Sequence, residues 1–225
     1  MSPFRAFVVG TDTGIGKTQV ARALLSLLAD RGLKPAPFKP YESGVTDHSA
    51  PEDARALVEA ARSEDPLDLV CPHRFREPLA PGVAAAREGR SVDFARTLGA
   101  FHAFDGRPLV AEAAGGLRVP VDDRRDVIDL VVALKLPAVL VARAGLGTLN
   151  HTALSLDLLR SRAVPVLAVV LSRTTEQTDP SEQDNAAWIA RRHGVTVLGP
   201  VPHLIDPRAR HEAFRKTLAP LVHPA

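Results

Sequence analysis

Gly10-Thr11-Asp12-Thr13-Gly14-Ile15-Gly16-Lys17-Thr18 is the stretch of this chain whose residue types and spacing most clearly suit chemistry. Glycines placed this way let backbone N–H groups converge on phosphate oxygens, and a helix opening directly behind them adds positive potential. Lys17 supplies a mobile ammonium for outer phosphates, and the Thr18 hydroxyl suits a hard cation such as Mg²⁺. The spacing is one residue longer than the usual GxxxxGK[ST] pattern. The bland alternative is a glycine-rich turn with an incidental lysine, but an apolar run before the loop and a helical period after it favour a nucleotide site. The loop points to a nucleotide and leaves the reaction open.

A magnesium ion bound with a nucleotide takes oxygen ligands, typically one or two carboxylates besides phosphates and water. Glu112 follows the apolar run Leu109-Val110-Ala111 and precedes the small residues Ala113-Ala114-Gly115-Gly116. A carboxylate at the end of a buried strand is costly unless solvated or bound to a cation, so Glu112 is a candidate ligand, with a capping role as its alternative. Asp53 stands where a helix opens, and acidic residues favour that place for dipole reasons alone. Lys39, in Phe38-Lys39-Pro40-Tyr41-Glu42-Ser43-Gly44, ends a short apolar run. Pattern alone makes it a solvated charge; its place at a strand end one crossover from the phosphate loop makes it a candidate for the chemistry. Ser43 and Gly44 fall in an expected turn, where a hydroxyl and amides can meet a polar substrate. A third glycine-rich edge, Gly145-Leu146-Gly147-Thr148-Leu149-Asn150-His151, reads equally as an anion site at a helix start or as a Thr-capped helix after a flexible loop. None of the eight histidines has a ligand-spaced partner, so none is assigned to a metal.

Apolar runs bounded by turn residues alternate with segments of helical period along the chain. Residues 4–10 read as a buried strand, and 17–31 as a helix with Val20, Ala23, Leu24, Leu27 and Leu28 on one face, ending at Gly32. A short strand is predicted over 34–39 and a helix over 51–62. The Pro- and Arg-rich stretch 65–90 holds a short helix near 81–88, and another helix over 91–104 is capped by Ser91. Strands at 109–113, 137–142, 164–171 and 196–201 then alternate with helices near 127–134, 149–161 and 181–192, before a last helix over 208–221. Such alternation predicts an α/β three-layer sandwich with a mostly parallel central sheet, of P-loop NTPase type, in a single domain over 1–225. In these sheets ligands sit at the carboxyl ends of strands, and each motif above falls at such an edge.

The 225 residues carry a net charge of +2, with 45% apolar and 24% charged, which is ordinary globular composition and argues against nucleic acid as a partner. One cysteine, Cys71, permits no intramolecular disulfide. No apolar run approaches the ~20 residues of a membrane span, and the N-terminus shows no cleavable signal pattern. A cytoplasmic location is therefore expected.

Taken together, the Thr-Asp-Thr loop, Phe-Lys-Pro-Tyr-Glu-Ser-Gly, Glu-Asp-Ala, Glu-Ala-Ala-Gly-Gly, Leu-Gly-Thr-Leu-Asn-His and Gly-Pro-Val-Pro-His-Leu resemble, in order and approximate spacing, the dethiobiotin synthetase family from about Phe4 to Leu204. The resemblance implies conversion of 7,8-diaminopelargonic acid, CO₂ and ATP into dethiobiotin, with Mg²⁺ as cofactor, in a homodimer with shared active sites. It implies that Lys17 and Lys39 are catalytic and that Thr18, Asp53 and Glu112 hold the metal. The nucleotide would be bound by Thr13, Gly14, Ile15, Gly16, Lys17, Thr18 and Gln19, by Asp53, by Glu112, Ala113, Ala114 and Gly115, by Ser172, and by Pro202, His203 and Leu204. The substrate would meet Thr13, Lys39 and Ser43, with its carboxylate tail on the partner's Gly147, Thr148, Leu149 and Asn150. Three positions depart from the family pattern. Gly14 stands where some members are acidic, Ala113 replaces a common glycine, and Ser172-Arg173 replaces the Asn that reads adenine in many members, which leaves the base preference open. The rivals are a partitioning-type switch ATPase, which usually carries a second lysine where Thr11-Asp12-Thr13 stand here, a cobyrinic-acid-type amide synthetase, which usually adds a glutaminase domain, and a non-catalytic nucleotide-binding module.

Overall fold

The computed structural model describes residues 3–222, so Met1, Ser2 and residues 223–225, including His223, lie outside the described residues. The first strand, β1 (Arg5–Gly10), shows how the layers arise. Its side chains alternate between the two sides of the sheet, and both sides are apolar: Ala6 and Val8 join one buried cluster while Phe7 and Val9 join the other. The glycine-rich loop follows and leads into α1 (Lys17–Asp30). Then come β2 (Ala36–Phe38), β3 (Tyr41–Ser43), α2 (Glu52–Ala61), α3 (Leu67–Val70), β4 (His73–Phe75), α4 (Pro81–Arg87), α5 (Phe94–His102) and β5 (Leu109–Glu112). The alternation continues through α6 (Val127–Leu134), β6 (Ala138–Arg143), α7 (Thr148–Ser161), β7 (Val166–Ser172), α8 (Glu182–His193), β8 (Val197–Val201) and α9 (Pro207–Val222).

The central sheet has the order β2-β5-β1-β6-β7-β8, with every pairing parallel. Buried residues of α1 and α9 pack with Ala6, Val8, Val110, Val139 and Val170 on one side. On the other, residues of α5, α6 and α7 pack against Phe7, Val9, Phe38, Ala111 and Leu140. This is the expected three-layer α/β sandwich. The order has a consequence for function, because β5 lies between β2 and β1. The register sets Phe38 beside Ala111 and Val8 beside Glu112, so the ends of three adjacent strands deliver Lys39, Glu112 and the phosphate loop side by side.

Two expectations needed correction. Ser43, expected in a turn, ends β3, which pairs in parallel with β4 from the stretch 65–90. Three-residue strands are too short to show a period, and each β3 residue pairs with one 32 positions further on, so neither was visible. The helix expected over 91–104 under a Ser91 cap starts at Phe94, and its cap is Asp93, whose carboxylate accepts from the Arg96 amide at 2.9 Å.

Candidate active site

Gly14 and Gly16 turn the phosphate loop with φ values of +73° and +96°, a region that favours glycine. Gly16 is also the N-cap of α1, and no side chain caps that helix, so its first N–H groups are oriented for an anion. Two side chains hold the loop in shape. The Asp12 carboxylate accepts from the Thr13 amide at 2.7 Å and from Arg143 Nη2, at the end of β6, at 2.8 Å. The Lys17 ammonium folds back to donate to the Asp12 carbonyl at 2.6 Å. Burial and the neighbouring Lys39 charge bring Lys17 down to about 8.

Beside the loop, four side chains converge. Lys39 Nζ donates to Glu112 Oε1 at 2.6 Å and lies 2.8 Å from Asp53 Oδ2. Thr18 Oγ1 lies 2.8 Å from Glu112 Oε1 and 3.1 Å from Asp53 Oδ1, and its single proton serves one carboxylate at a time. Lys39 and Glu112 are almost wholly buried, at 4% and 1% exposure. Burial pulls Lys39 down, but the Glu112 and Asp53 charges outweigh it and hold the ammonium above the usual lysine range. Burial likewise works against the Asp53 carboxylate, yet Lys39 keeps it below its ordinary value. Glu112 goes the other way: full burial dominates over Lys39 and raises it. Glu112 Oε2 and Ser43 Oγ are buried without a hydrogen-bond partner.

These residues line one cavity of about 860 Å³, a size suited to a nucleotide and a small substrate. Of the candidate site residues, Thr13, Gly14, Gly16, Lys17, Thr18, Gln19, Lys39, Ser43, Asp53 and Glu112 through Gly115 all line it. Several expected positions do not. Ile15 is 1% exposed and packs into the core, leaving only its backbone for the loop. Ser172 is buried beneath the loop, where a Cβ on Gly16 would lie 3.2 Å from its hydroxyl. Arg173 turns away to pair with Glu182 at 2.6 Å. Pro202, His203 and Leu204 lie outside the lining, as do Gly147, Thr148, Leu149 and Asn150. The Thr148 side chain is fully buried, with its hydroxyl 3.3 Å from that of Thr152, so only its backbone can meet a ligand. Conversely, Arg22, Tyr41, Glu42 and Arg210 line the cavity without having been singled out. No sequence signal marked Glu42, because the three-residue strand that carries it is itself too short to be read.

A family model described as an AAA domain matches residues 5–209. The ATP-dependent dethiobiotin synthetase of Anaeromyxobacter dehalogenans strain 2CP-C is 46% identical over 217 residues, covering 95% of this chain and 96% of its own. That of Anaeromyxobacter sp. strain Fw109-5 is 43% identical over 215 residues, with the same coverage. This chain belongs to the ATP-dependent dethiobiotin synthetase family. The synthetase of Bacillus subtilis strain 168 extends the likeness to a distant relative, at 33% identity over 89% of this chain and 87% of that one. Chloroplast FtsY from Physcomitrella patens shares the fold alone, with a TM-score of 0.52 at 14% identity over 95% of this chain and 65% of that one. As a dethiobiotin synthetase the protein is an ATP-dependent ligase of biotin biosynthesis. Matches that cover 95% of this chain and 96% of the relatives displace the switch-ATPase reading.

Proposed function

We propose that the cavity beside the phosphate loop joins CO₂ to 7,8-diaminopelargonic acid and closes the ring at the expense of ATP. One amine of the substrate adds to CO₂ and loses a proton, giving a carbamate. A carbamate oxygen attacks the γ-phosphorus, and ADP leaves. The second amine then attacks the carbonyl carbon of the mixed anhydride, phosphate leaves, and a proton is released with the cyclic urea. The observation that carries this reading is the buried Lys39 ammonium seated between two carboxylates at the edge of the phosphate loop. A cation fixed there is aimed at charge that develops on carbamate and phosphoryl oxygens, where preorganised donors contribute most. A single turnover started with freshly dissolved C¹⁸O₂ tests the route. One ¹⁸O should pass into the released phosphate; dethiobiotin formed with unlabelled phosphate would contradict the carbamate attack.

The donor set fits a magnesium ion. Thr18, Asp53 and Glu112 offer hard oxygens, and Glu112 Oε2 is buried with no partner of its own. When bound, such an ion neutralises charge on the phosphates. Asp53→Asn and Glu112→Gln are each expected to raise the Mg²⁺ concentration needed for half-maximal rate and to lower kcat. A magnesium titration that either variant leaves unchanged would return that residue to helix opener or strand end.

We further read the whole chain as one domain acting in the cytoplasm, a location that the lone buried thiol of Cys71 tolerates without requiring it. We also read it as a homodimer in which Gly147, Thr148, Leu149 and Asn150 reach the partner's site. Asn150 is exposed outside the cavity, beside Leu146 and Leu149 at 78% and 43% exposure, an arrangement suited to contact with a second copy. Asn150→Ala is expected to raise KM for diaminopelargonate and leave ATP binding intact. Mixed under subunit exchange with Lys17→Ala, it should regain activity, because one of the two heterodimer sites carries neither lesion. Proven exchange without recovery would place Asn150 in its own subunit's site or in none. Ala113, Ala114 and Gly115, which line the cavity, are read as nucleotide contacts, and Pro202, His203 and Leu204 as further contacts outside that lining. Ser172-Arg173 in place of the family's Asn leaves the base preference open.

A further inference from the structure

Helix α2 begins behind a proline. Pro51 is its N-cap and has no side-chain acceptor to give, so the helix lacks the Ser, Thr, Asp or Asn that usually satisfies the first amides. Glu42 takes that place from another element. It lies eleven residues earlier on β3, and its two carboxylate oxygens accept from two consecutive amides, Oε1 from Asp53 at 2.9 Å and Oε2 from Ala54 at 2.8 Å. The side chain is 6% exposed, a costly position for a charge. Two charge-assisted hydrogen bonds and the positive end of α2 offset part of that cost, though burial still leaves the carboxyl above its ordinary value. One of those amides belongs to the residue whose carboxylate reaches Lys39 Nζ and Thr18 Oγ1. The backbone that aims Asp53 is thus held by a side chain from β3.

We propose that Glu42 is a positioning residue of the transfer site: by binding the Asp53 and Ala54 amides it fixes the start of α2, and so sets the place of the Asp53 carboxylate for the cation. The proposal rests on the reading of Asp53 as a metal ligand. Groups that orient a metal ligand are typically worth 10–100-fold in metal affinity. A capping bond of purely structural value would lower stability and leave the affinity of the folded protein for the metal unchanged.

The test uses Mn²⁺ as the probe, titrated into the protein–ADP complex and followed by the electron paramagnetic resonance signal of free Mn²⁺. Glu42→Ala is expected to weaken Mn²⁺ binding about tenfold, while ADP binding measured in EDTA stays at the wild-type value. Glu42→Gln keeps one acceptor and should fall between Glu42→Ala and wild type. It also serves as the measurable variant should the alanine protein fail to fold. Asp53→Asn is the control for the underlying reading and should weaken Mn²⁺ on its own. Wild-type Mn²⁺ affinity in Glu42→Ala or Glu42→Gln, with Asp53→Asn weakened, overturns the proposal. So does a Gln variant that behaves like Ala, since the effect would then follow charge and not the bond. Wild-type affinity in Asp53→Asn overturns the metal reading and the proposal with it.

Discussion

Lys39→Ala is expected to lower kcat by about 10²–10³-fold with little change in nucleotide affinity, the cost of removing one donor aimed at developing charge. The reason lies in where the ammonium sits. It is nearly fully buried, held by Glu112 and Asp53 at 2.6 and 2.8 Å, and so is fixed before any substrate arrives. The same substitution leaves Glu112 buried without its cation, which costs about 3–5 kcal/mol for a fully buried pair and less here, because Asp53 is partly solvated and Glu112 can take up a proton. The pH dependence follows from that proton. Burial already raises Glu112 above the ordinary carboxylate range, and losing Lys39 raises it further. An acid whose folded pKa is raised favours the fold at low pH and disfavours it as pH rises. The variant's melting temperature should therefore fall relative to wild type as the pH climbs past about 4.3, the ordinary glutamate value. Turnover at the wild-type rate in Lys39→Ala would remove it from the chemistry.

Lys17→Ala is expected to lose both binding and rate. A charge-assisted hydrogen bond contributes about 1.5–3 kcal/mol, so nucleotide affinity should drop by about 10–100-fold, at 1.4 kcal/mol per decade, with a further loss in kcat. The ammonium spends its hydrogen bond on the Asp12 carbonyl and sits near 8 because burial and Lys39 disfavour its charge. Below that value it is already charged. Above it, nucleotide binding must draw in a proton, so ADP affinity measured by calorimetry should decline as pH rises beyond about 8, with proton uptake that depends on the buffer. Lys17→Arg, charged throughout this range, should flatten the decline. A lysine with a lowered folded pKa contributes stability above its unfolded value of 10.5 and loses it as pH falls through about 8. Near neutrality, Lys17→Met should accordingly melt no lower than wild type.

What could be read from the sequence was what is local. The loop from Gly10 to Thr18 carries its function in consecutive residues, α1 shows a helical period, and β1, β5 and β6 read as unbroken apolar runs because both of their faces are buried. The meeting of Lys39 with Glu112 was not legible as a contact. Seventy-three residues separate them, and only the sheet order, with β5 between β2 and β1, makes them neighbours. Asp53 illustrates the limit from the other side. An acidic residue in the first turn of a helix reads as a dipole partner, and only the structure shows that Glu42 caps the helix while Asp53 faces Thr18 and Lys39. Thr148 looked like a ligand in a glycine-rich turn, yet its side chain is buried against Thr152. Spacing along the chain does not say which way such a side chain turns.

Mass spectrometry of the products made from diaminopelargonate, bicarbonate and MgATP tests the central claim most directly. Dethiobiotin should appear only when all three are present, with one phosphate released for each molecule formed. Steady ATP hydrolysis with no cyclic urea, across a range of pH and salt, would contradict the account.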